Sequence, residues 1–69
     1  MNDDHYKEGD MCYFVNALNR VEMCEVVKKI VEKDQIMYQV RDCNNWRYTI
    51  VEHQYCADKK EYLKGKKRK

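Results

Sequence analysis

Hydrophobic and polar residues alternate with the two-residue period of a β-strand at 35–41 and 46–51, whereas 11–15 is an uncharged run of strand type and 20–31 alternates only in part. These four stretches are rich in β-branched and aromatic side chains. Successive side chains of a strand point to opposite faces of a sheet, so this period lets each strand bury one of its faces. The pattern therefore predicts a mainly β protein with four principal strands.

The stretch from residue 24 to residue 42 is the centre of the predicted sheet. It contains two β-rich runs, 24–31 and 35–41, which flank a polar triplet at 32–34. Two such runs separated by a short polar break are typical of a β-hairpin. We expect the rest of the chain to add strands to the two sides of this hairpin.

The first arm of this hairpin does not alternate cleanly. Cys24, Val26 and Ile30 share one parity, but Lys28 interrupts it. A β-bulge near Val26 and Val27 would reconcile the pattern, because one extra residue switches the parity that faces the core. A helix is the alternative, since apolar residues at 23, 26, 27, 30 and 31 also fit a period of 3.6 residues and would make the fold α+β. The many β-branched residues of this run favour a strand.

Polar segments between the strands predict the connections. Residues 16–19 contain two asparagines and predict a loop. Residues 42–45 predict an Asp/Asn turn that joins two antiparallel strands. Residues 52–56 fit either a single helical turn or a short closing strand, and residues 57–64 fit a short helical turn.

The 69-residue chain is long enough for one domain, and its charge is unevenly distributed. We divide it into a polar lead-in (1–10), a small β domain (11–58) and a basic C-terminal tail (59–69). Residues 1–58 hold seven Lys/Arg against eleven Asp/Glu, a net charge of −4, whereas residues 59–69 hold seven against one, a net charge of +6. We expect the end of the tail, residues 65–69, to be disordered.

The spacing of the cysteines favours neither a disulfide framework nor a metal centre. The four cysteines, at 12, 24, 43 and 56, form no CxxC or CxxH pair. We expect four reduced thiols, most of them acting as small apolar residues inside strands. A zinc site that combines these cysteines with His5 or His53 is the alternative.

The sequence predicts neither an enzyme nor a cofactor. It contains no serine, and it lacks the motifs of serine hydrolases, zinc proteases and nucleotide-binding enzymes. No apolar run approaches the roughly 20 residues that span a bilayer, so we expect no membrane association. The polar first ten residues lack the basic start and apolar middle of a secretory signal, which predicts a cytoplasmic protein.

Several segments resemble the strands of SH3-like small β-barrels: residues 9–14 (GDMCYF), 24–27 (CEVV), 38–42 (YQVRD) and 47–51 (RYTIV). Within that superfold the chain is similar to Tudor and KOW modules, although the glycine that KOW modules carry before the second strand is missing. The resemblance covers residues 6–57 and implies an antiparallel barrel of four or five strands with a short C-terminal helical turn. In size and style the chain also resembles the small accessory proteins of bacteriophages, many of which bind and inhibit host proteins.

The eight aromatic residues and the lack of catalytic motifs favour a binding function. Our leading interpretation is a non-enzymatic protein-binding module, an inhibitor or adaptor, with Tyr13, Leu18, Trp46 and Tyr48 as candidate contacts. Trp46 is the best candidate for an exposed platform, because it opens a strand directly after a turn, and if exposed it would serve as an interface anchor. The Tudor resemblance implies an aromatic cage for a methylated cation, but we favour burial of most aromatic residues in the core.

Nucleic-acid binding is the alternative function. We expect Arg41 and Arg47 to point the same way on adjacent strands, while cations of the tail contact phosphates. The candidate residues are Arg41, Arg47, Lys64, Lys66, Lys67 and Arg68. An exposed strand edge also makes a homodimer an alternative to a different protein partner.

Overall fold

Five antiparallel strands form one sheet, so the prediction of a mainly β protein is confirmed. The computed structural model describes residues 5–68, and both residues 1–4 of the predicted lead-in and Lys69 of the predicted tail lie outside them. The sheet has the order β4-β3-β2-β1-β5. Its strands are β1 (Met11–Val15), β2 (Val21–Glu32), β3 (Gln35–Asp42), β4 (Tyr48–Glu52) and β5 (Cys56–Ala57), with 3₁₀ turns at His53–Tyr55 and Lys60–Leu63.

The central hairpin consists of β2 and β3, as the sequence predicts, and its first arm is a strand. The register pairs Val26 with Val40 and Lys28 with Gln39, so Val27 is the extra residue of a β-bulge. Val26 is buried before the bulge, while Lys28 two residues later is exposed. The predicted bulge is therefore confirmed, and the α+β alternative is wrong.

The inner face of the sheet carries the main apolar cluster. Half-buried Tyr55 and Cys56, at the β5 edge, pack against this cluster, and so does Val51 of β4 at the opposite edge. Contact of both edges with one cluster requires the sheet to curve strongly around it. The buried members are Cys12, Phe14, Cys24, Val26, Tyr38, Val40 and Val51.

The segment before β1 closes one side of the main cluster. The Tyr6 N–H donates to the Tyr38 hydroxyl at 3.1 Å, and the two rings meet edge to face with centroids 5.5 Å apart. The same hydroxyl hydrogen-bonds to His53 Nδ1 at 2.8 Å. Gly9 turns the chain into β1 at a φ of 93°, which glycine adopts without the steric cost of a side chain.

A second, smaller apolar cluster lies on the other side of β1. Its buried members are Val15, Ala57 and Leu63, and half-buried Tyr13 and Val21 pack against them. The 3₁₀ turn at Lys60–Leu63 carries Leu63 onto this side of the sheet. The predicted C-terminal helical turn is thus present, and it adds a buried anchor to the sheet.

The tail beyond this turn returns to the body of the protein. The Arg68 N–H donates to Asn19 Oδ1 at 2.8 Å, and Arg68 Nη1 donates to the Val15 carbonyl at 3.4 Å. The prediction of disorder is therefore wrong for residues 65–68. These contacts are long-range in sequence, which is why the charge pattern of the tail alone does not reveal them.

Candidate functional site

An exposed apolar patch lies on the outer face of the sheet, beside the turn between β3 and β4. Trp46, Tyr48 and Ile50 leave 66%, 61% and 53% of their surface exposed. Across the β3–β4 ladder, Tyr48 lies opposite Arg41 and Ile50 lies opposite Gln39. We refer to Trp46, Tyr48 and Ile50 as the outer patch.

The turn at residues 42–47 fixes the position of this patch. The Asp42 N–H donates to the Arg47 carbonyl and the Trp46 N–H donates to the Asp42 carbonyl, each at 2.8 Å. Two side chains add to this: Asp42 Oδ1 accepts the Asn44 N–H at 2.8 Å, and Asn45 Oδ1 accepts the Arg47 N–H at 3.0 Å. The predicted Asp/Asn turn is confirmed, but it is two residues longer than the sequence indicates.

Trp46 occupies a backbone conformation that bulky residues rarely adopt. Its φ is 63°, in the left-handed region, which costs a residue other than glycine about 1–2 kcal/mol. Asn19 has a similar φ of 61°, but asparagine is one of the residues that tolerate it. The prediction that Trp46 opens the fourth strand is wrong, because β4 begins at Tyr48. Backbone outliers of this kind are concentrated at functional sites.

Arg41 connects the outer patch to β2. Its guanidinium carbon lies 4.5 Å from the centroid of the Trp46 ring, and its Nη2 donates to Glu25 Oε1 in an ion pair. Stacking of this kind contributes about 0.5–1 kcal/mol at exposed sites. Arg41 therefore holds the Trp46 ring in one orientation, and its charge is balanced by Glu25.

The structure brings two of the four predicted protein contacts together, Trp46 and Tyr48. Tyr13 lies on β1, half-buried against the second cluster, with Lys60 Nζ 5.8 Å from its ring centroid. Leu18 is strongly exposed in the loop between β1 and β2. Ile50 was missed: alternation places it on the same face as Tyr48, but nothing in the pattern says which face is the outer one.

The predicted nucleic-acid contacts lie in different environments: some are bonded to the body of the protein and others are exposed. Arg41 is held by Glu25, and the register puts Tyr48, rather than Arg47, opposite it on the adjacent strand. The expectation that the two arginines point the same way on adjacent strands is therefore wrong. Arg68 is half-buried and bonded to the body, whereas the remaining tail candidates are exposed: Lys64, Lys66 and Lys67.

A groove of about 410 Å³ continues the outer patch along β4 towards the tail. A wider and more open depression of about 1010 Å³ lies by the β2–β3 turn, lined by residues 32–36 and 52–54. The groove is the better candidate site, because it adjoins the exposed aromatic residues. Its lining consists of Met37, Ile50, Glu52, Gln54, Tyr55 and Arg68.

Residues 5–68 lack the features of a metal centre and of a membrane-spanning helix. In this part of the chain no group of three or more His, Cys, Asp or Glu side chains is arranged to hold a metal ion. Neither of its helical turns is long and apolar enough to cross a membrane. Comparison of the chain with protein-family models, with curated proteins and with solved structures found no match.

Proposed function

We propose that the protein is a non-enzymatic binding module of the cytoplasm that contacts a second protein through the outer patch and acts as its inhibitor or adaptor. The conformation of Trp46 carries this proposal: the ring is exposed although the backbone is held at positive φ. A glycine or an asparagine would form the same turn at lower cost. Contact of the indole ring with a partner accounts for the presence of tryptophan there.

The composition of the outer patch supports a protein partner. Tryptophan and tyrosine contribute a large share of the binding energy in protein interfaces. Because Arg41 stacks on the Trp46 ring, the Trp46 side chain loses less conformational entropy on binding than a freely rotating tryptophan would. Glu25 and Gln39 lie beside the patch and supply the polar rim that surrounds the apolar centre of an interface.

The free edge of β4 supports an extended segment as the part of the partner that binds. Asp42 and Arg47 are bonded across the end of the β3–β4 ladder. Bonded positions alternate along an antiparallel pair, so the backbone groups of Tyr48 and Ile50 point away from β3, as does the N–H of Glu52, whose carbonyl accepts the Cys56 thiol. β4 contains neither proline nor lysine, the residues that commonly block an edge. We propose that the partner adds a strand to this edge.

An SH3-like architecture is part of the same proposal. Five antiparallel strands in the order β4-β3-β2-β1-β5 support it, as does the 3₁₀ turn between β4 and β5. The long second strand with its bulge pairs with both β1 and β3 and so belongs to both halves of the curved sheet. The fold does not determine the function, which is why the proposal rests on the outer patch.

A comparison of variants tests the proposal. The wild-type protein is immobilised, incubated with a bacterial lysate at low salt, and the retained protein is identified by mass spectrometry and purified. Its Kd is then measured for the wild type, Trp46→Gly and Tyr48→Thr. We expect each substitution to raise the Kd at least about tenfold, as loss of an interface hot spot does.

Tyr62→Ser is the matched control, because Tyr62 is as exposed as Tyr48 but lies outside the patch. Its Kd is expected to stay within about twofold of the wild-type value. Hydrogen exchange at the amides of Ile50 and Glu52 is expected to slow on binding if a strand is added to β4. Equal binding by all four proteins would overturn the proposal. Self-association that depends on Trp46 would instead identify the partner as a second copy of the chain.

Nucleic-acid binding is the second hypothesis, favoured only by the exposed lysines of the tail. It predicts an affinity for single-stranded RNA or DNA that falls steeply between about 50 and 200 mM salt. Replacement of Lys64, Lys66 and Lys67 by glutamine would flatten this dependence. An affinity that neither salt nor the triple substitution changes would contradict it.

A further inference from the structure

Three of the four cysteines meet on the inner face of the sheet. Cys12 of β1 and Cys24 of β2 are direct cross-strand partners, with their Sγ atoms 3.6 Å apart. Cys56 of β5 lies opposite Phe14, two residues from Cys12 on the same face of β1, and packs against the cluster that contains Cys12 and Cys24. We refer to Cys12, Cys24 and Cys56 as the thiol triad. Cys43 lies outside it, in the turn at 42–47.

The triad runs from the surface into the core. Cys56 is half-buried and its thiol donates to the Glu52 carbonyl at 3.8 Å, whereas Cys12 is 2% and Cys24 0% exposed. A small solute therefore reaches Cys56 first. Cys12 contacts Cys24 directly and belongs to the cluster against which Cys56 packs, so it lies between the other two.

The hydrogen bonds within the triad distinguish its members. The hydrogen bond from the Cys24 thiol, with a further contribution from the neighbouring Cys56 thiol, lowers the pKa of Cys12 and favours its thiolate. The same bonds, together with burial, raise the pKa values of Cys24 and Cys56, which keep their protons. Thiolates are the nucleophilic form of cysteine, so Cys12 is the thiol best placed to attack sulfur.

We propose that the thiol triad is an oxidation site at which hydrogen peroxide links Cys12 and Cys24 in a disulfide by way of Cys56. Cys56, the most exposed of the three, first loses its proton and attacks one oxygen of peroxide; it becomes a sulfenic acid, and the released hydroxide takes up the proton as one water. Cys12 then attacks the Cys56 sulfur, which forms the Cys12–Cys56 disulfide and releases a second water. Cys24 gives up its proton as it attacks the Cys12 sulfur, and Cys56 leaves as a thiolate that takes up a proton. Two thiols are oxidised for each peroxide reduced.

The geometry of β1 and β2 suits the final bond. Opposed residues of antiparallel strands have Cα atoms about 4.5–5.5 Å apart, which lies within the range that disulfides span. The Sγ atoms must approach from 3.6 Å to about 2.05 Å, a movement that side-chain rotation and a small backbone adjustment can supply. None of these residues belongs to the outer patch. Cys56 contacts the β4 edge through the Glu52 carbonyl, but formation of the disulfide does not require a partner at that edge, so the two proposals can fail separately.

Peptide mapping tests this proposal directly, because trypsin places each cysteine on its own peptide. Residues 8–20 carry Cys12, 21–28 carry Cys24, 42–47 carry Cys43 and 48–59 carry Cys56. Dilute protein is treated with peroxide, quenched with an alkylating agent and digested. We expect two thiols per chain to disappear and peptide 8–20 to be linked to peptide 21–28. Retention of the Cys12 and Cys24 thiols, or linkage of their peptides only between different protein molecules, would overturn the proposal.

Cysteine-to-serine variants separate the steps. Cys24→Ser is expected to stop the sequence at the earlier disulfide, with peptide 8–20 linked to peptide 48–59. Cys56→Ser is expected to slow formation of the Cys12–Cys24 link at least about tenfold, because peroxide then has to reach a buried thiol. Cys43→Ser is the control and should oxidise at the wild-type rate. A Cys56→Ser protein that oxidises as fast as the wild type would exclude the route through Cys56.

Discussion

Alternate residues of β3 form two faces of one sheet that differ in their physical properties. On the inner face Tyr38, Val40 and Asp42 are at most 3% exposed. On the outer face Gln39 and Arg41 are only half-buried, and the patch beside them is exposed. The inner face therefore supplies the free energy of folding, while the outer face remains available for contact.

The two faces also treat charge differently. On the inner face a hydrogen bond with the Asp42 carboxyl raises the pKa of Glu22, because it favours the protonated form, and burial and the nearby Asp42 charge raise this pKa further. On the outer face Glu25 is paired with Arg41. The inner face thus contains an unfavourable charge pair and the outer face a favourable one. We therefore expect Glu22→Gln to raise the stability of the fold and Glu25→Gln to lower it.

The largest effect on stability is expected from the inner face. Phe14→Ala removes a fully buried ring and should lower the free energy of unfolding by about 3–5 kcal/mol, measured by urea denaturation. Trp46→Gly, on the outer face, should change it by less than about 1 kcal/mol, since relief of the positive φ offsets the lost stacking on Arg41. If Phe14→Ala does not fold, Phe14→Leu gives a smaller loss of the same sign. Equal losses of unfolding free energy in Phe14→Ala and Trp46→Gly would contradict this distinction between the two faces.

Loss of one buried hydroxyl is the next largest effect. Tyr38→Phe leaves the ring in place but removes the acceptor of the Tyr6 N–H and the partner of His53 Nδ1. We expect a loss of about 1–3 kcal/mol in urea denaturation, the usual cost of unsatisfied buried groups. Tyr48→Phe is the control on the outer face and should leave the urea midpoint unchanged. A Tyr38→Phe variant with the stability of the wild type would show that the hydroxyl is not needed to hold the segment before β1.

The Glu22–Asp42 carboxyl pair of the inner face predicts that the substitution Glu22→Gln increases stability in a pH-dependent way. Because the folded-state pKa of Glu22 is raised, the wild type loses stability relative to Glu22→Gln as the pH rises through that value. The variant should have the higher urea midpoint at pH 7, and the two proteins should converge below the ordinary glutamate pKa. A lower midpoint for Glu22→Gln at pH 7 would contradict the assignment of repulsion to this pair.

The smallest effect is expected from the ion pair of the outer face. Glu25→Gln should lower the free energy of unfolding by about 0.2–1 kcal/mol, as is typical of partly exposed pairs. The loss should shrink in about 1 M salt, where charges are strongly screened. A loss that is independent of salt would mean that Glu25 acts through packing rather than charge.

Local periodicity in the sequence predicts much of the fold but little of the candidate site. The hairpin and the bulge at Val27 follow from alternation over neighbouring residues. The thiol triad depends on which strands pair, because Cys12 meets Cys24 and Cys56 only through β2 and β5. The turn position of Trp46 contradicts its residue preferences, since tryptophan favours strands. Burial of Leu63 likewise depends on a surface that distant residues create.

The exposed position of Trp46 has a spectroscopic consequence. It is the only tryptophan of the chain, so the indole fluorescence of the protein comes from the outer patch and not from the core. Urea unfolding moves this ring from one aqueous environment to another, and its emission should shift little. Binding of an apolar segment would remove the ring from water and move the emission to shorter wavelength. The protein therefore carries an intrinsic reporter of occupancy at the surface through which we propose that it acts.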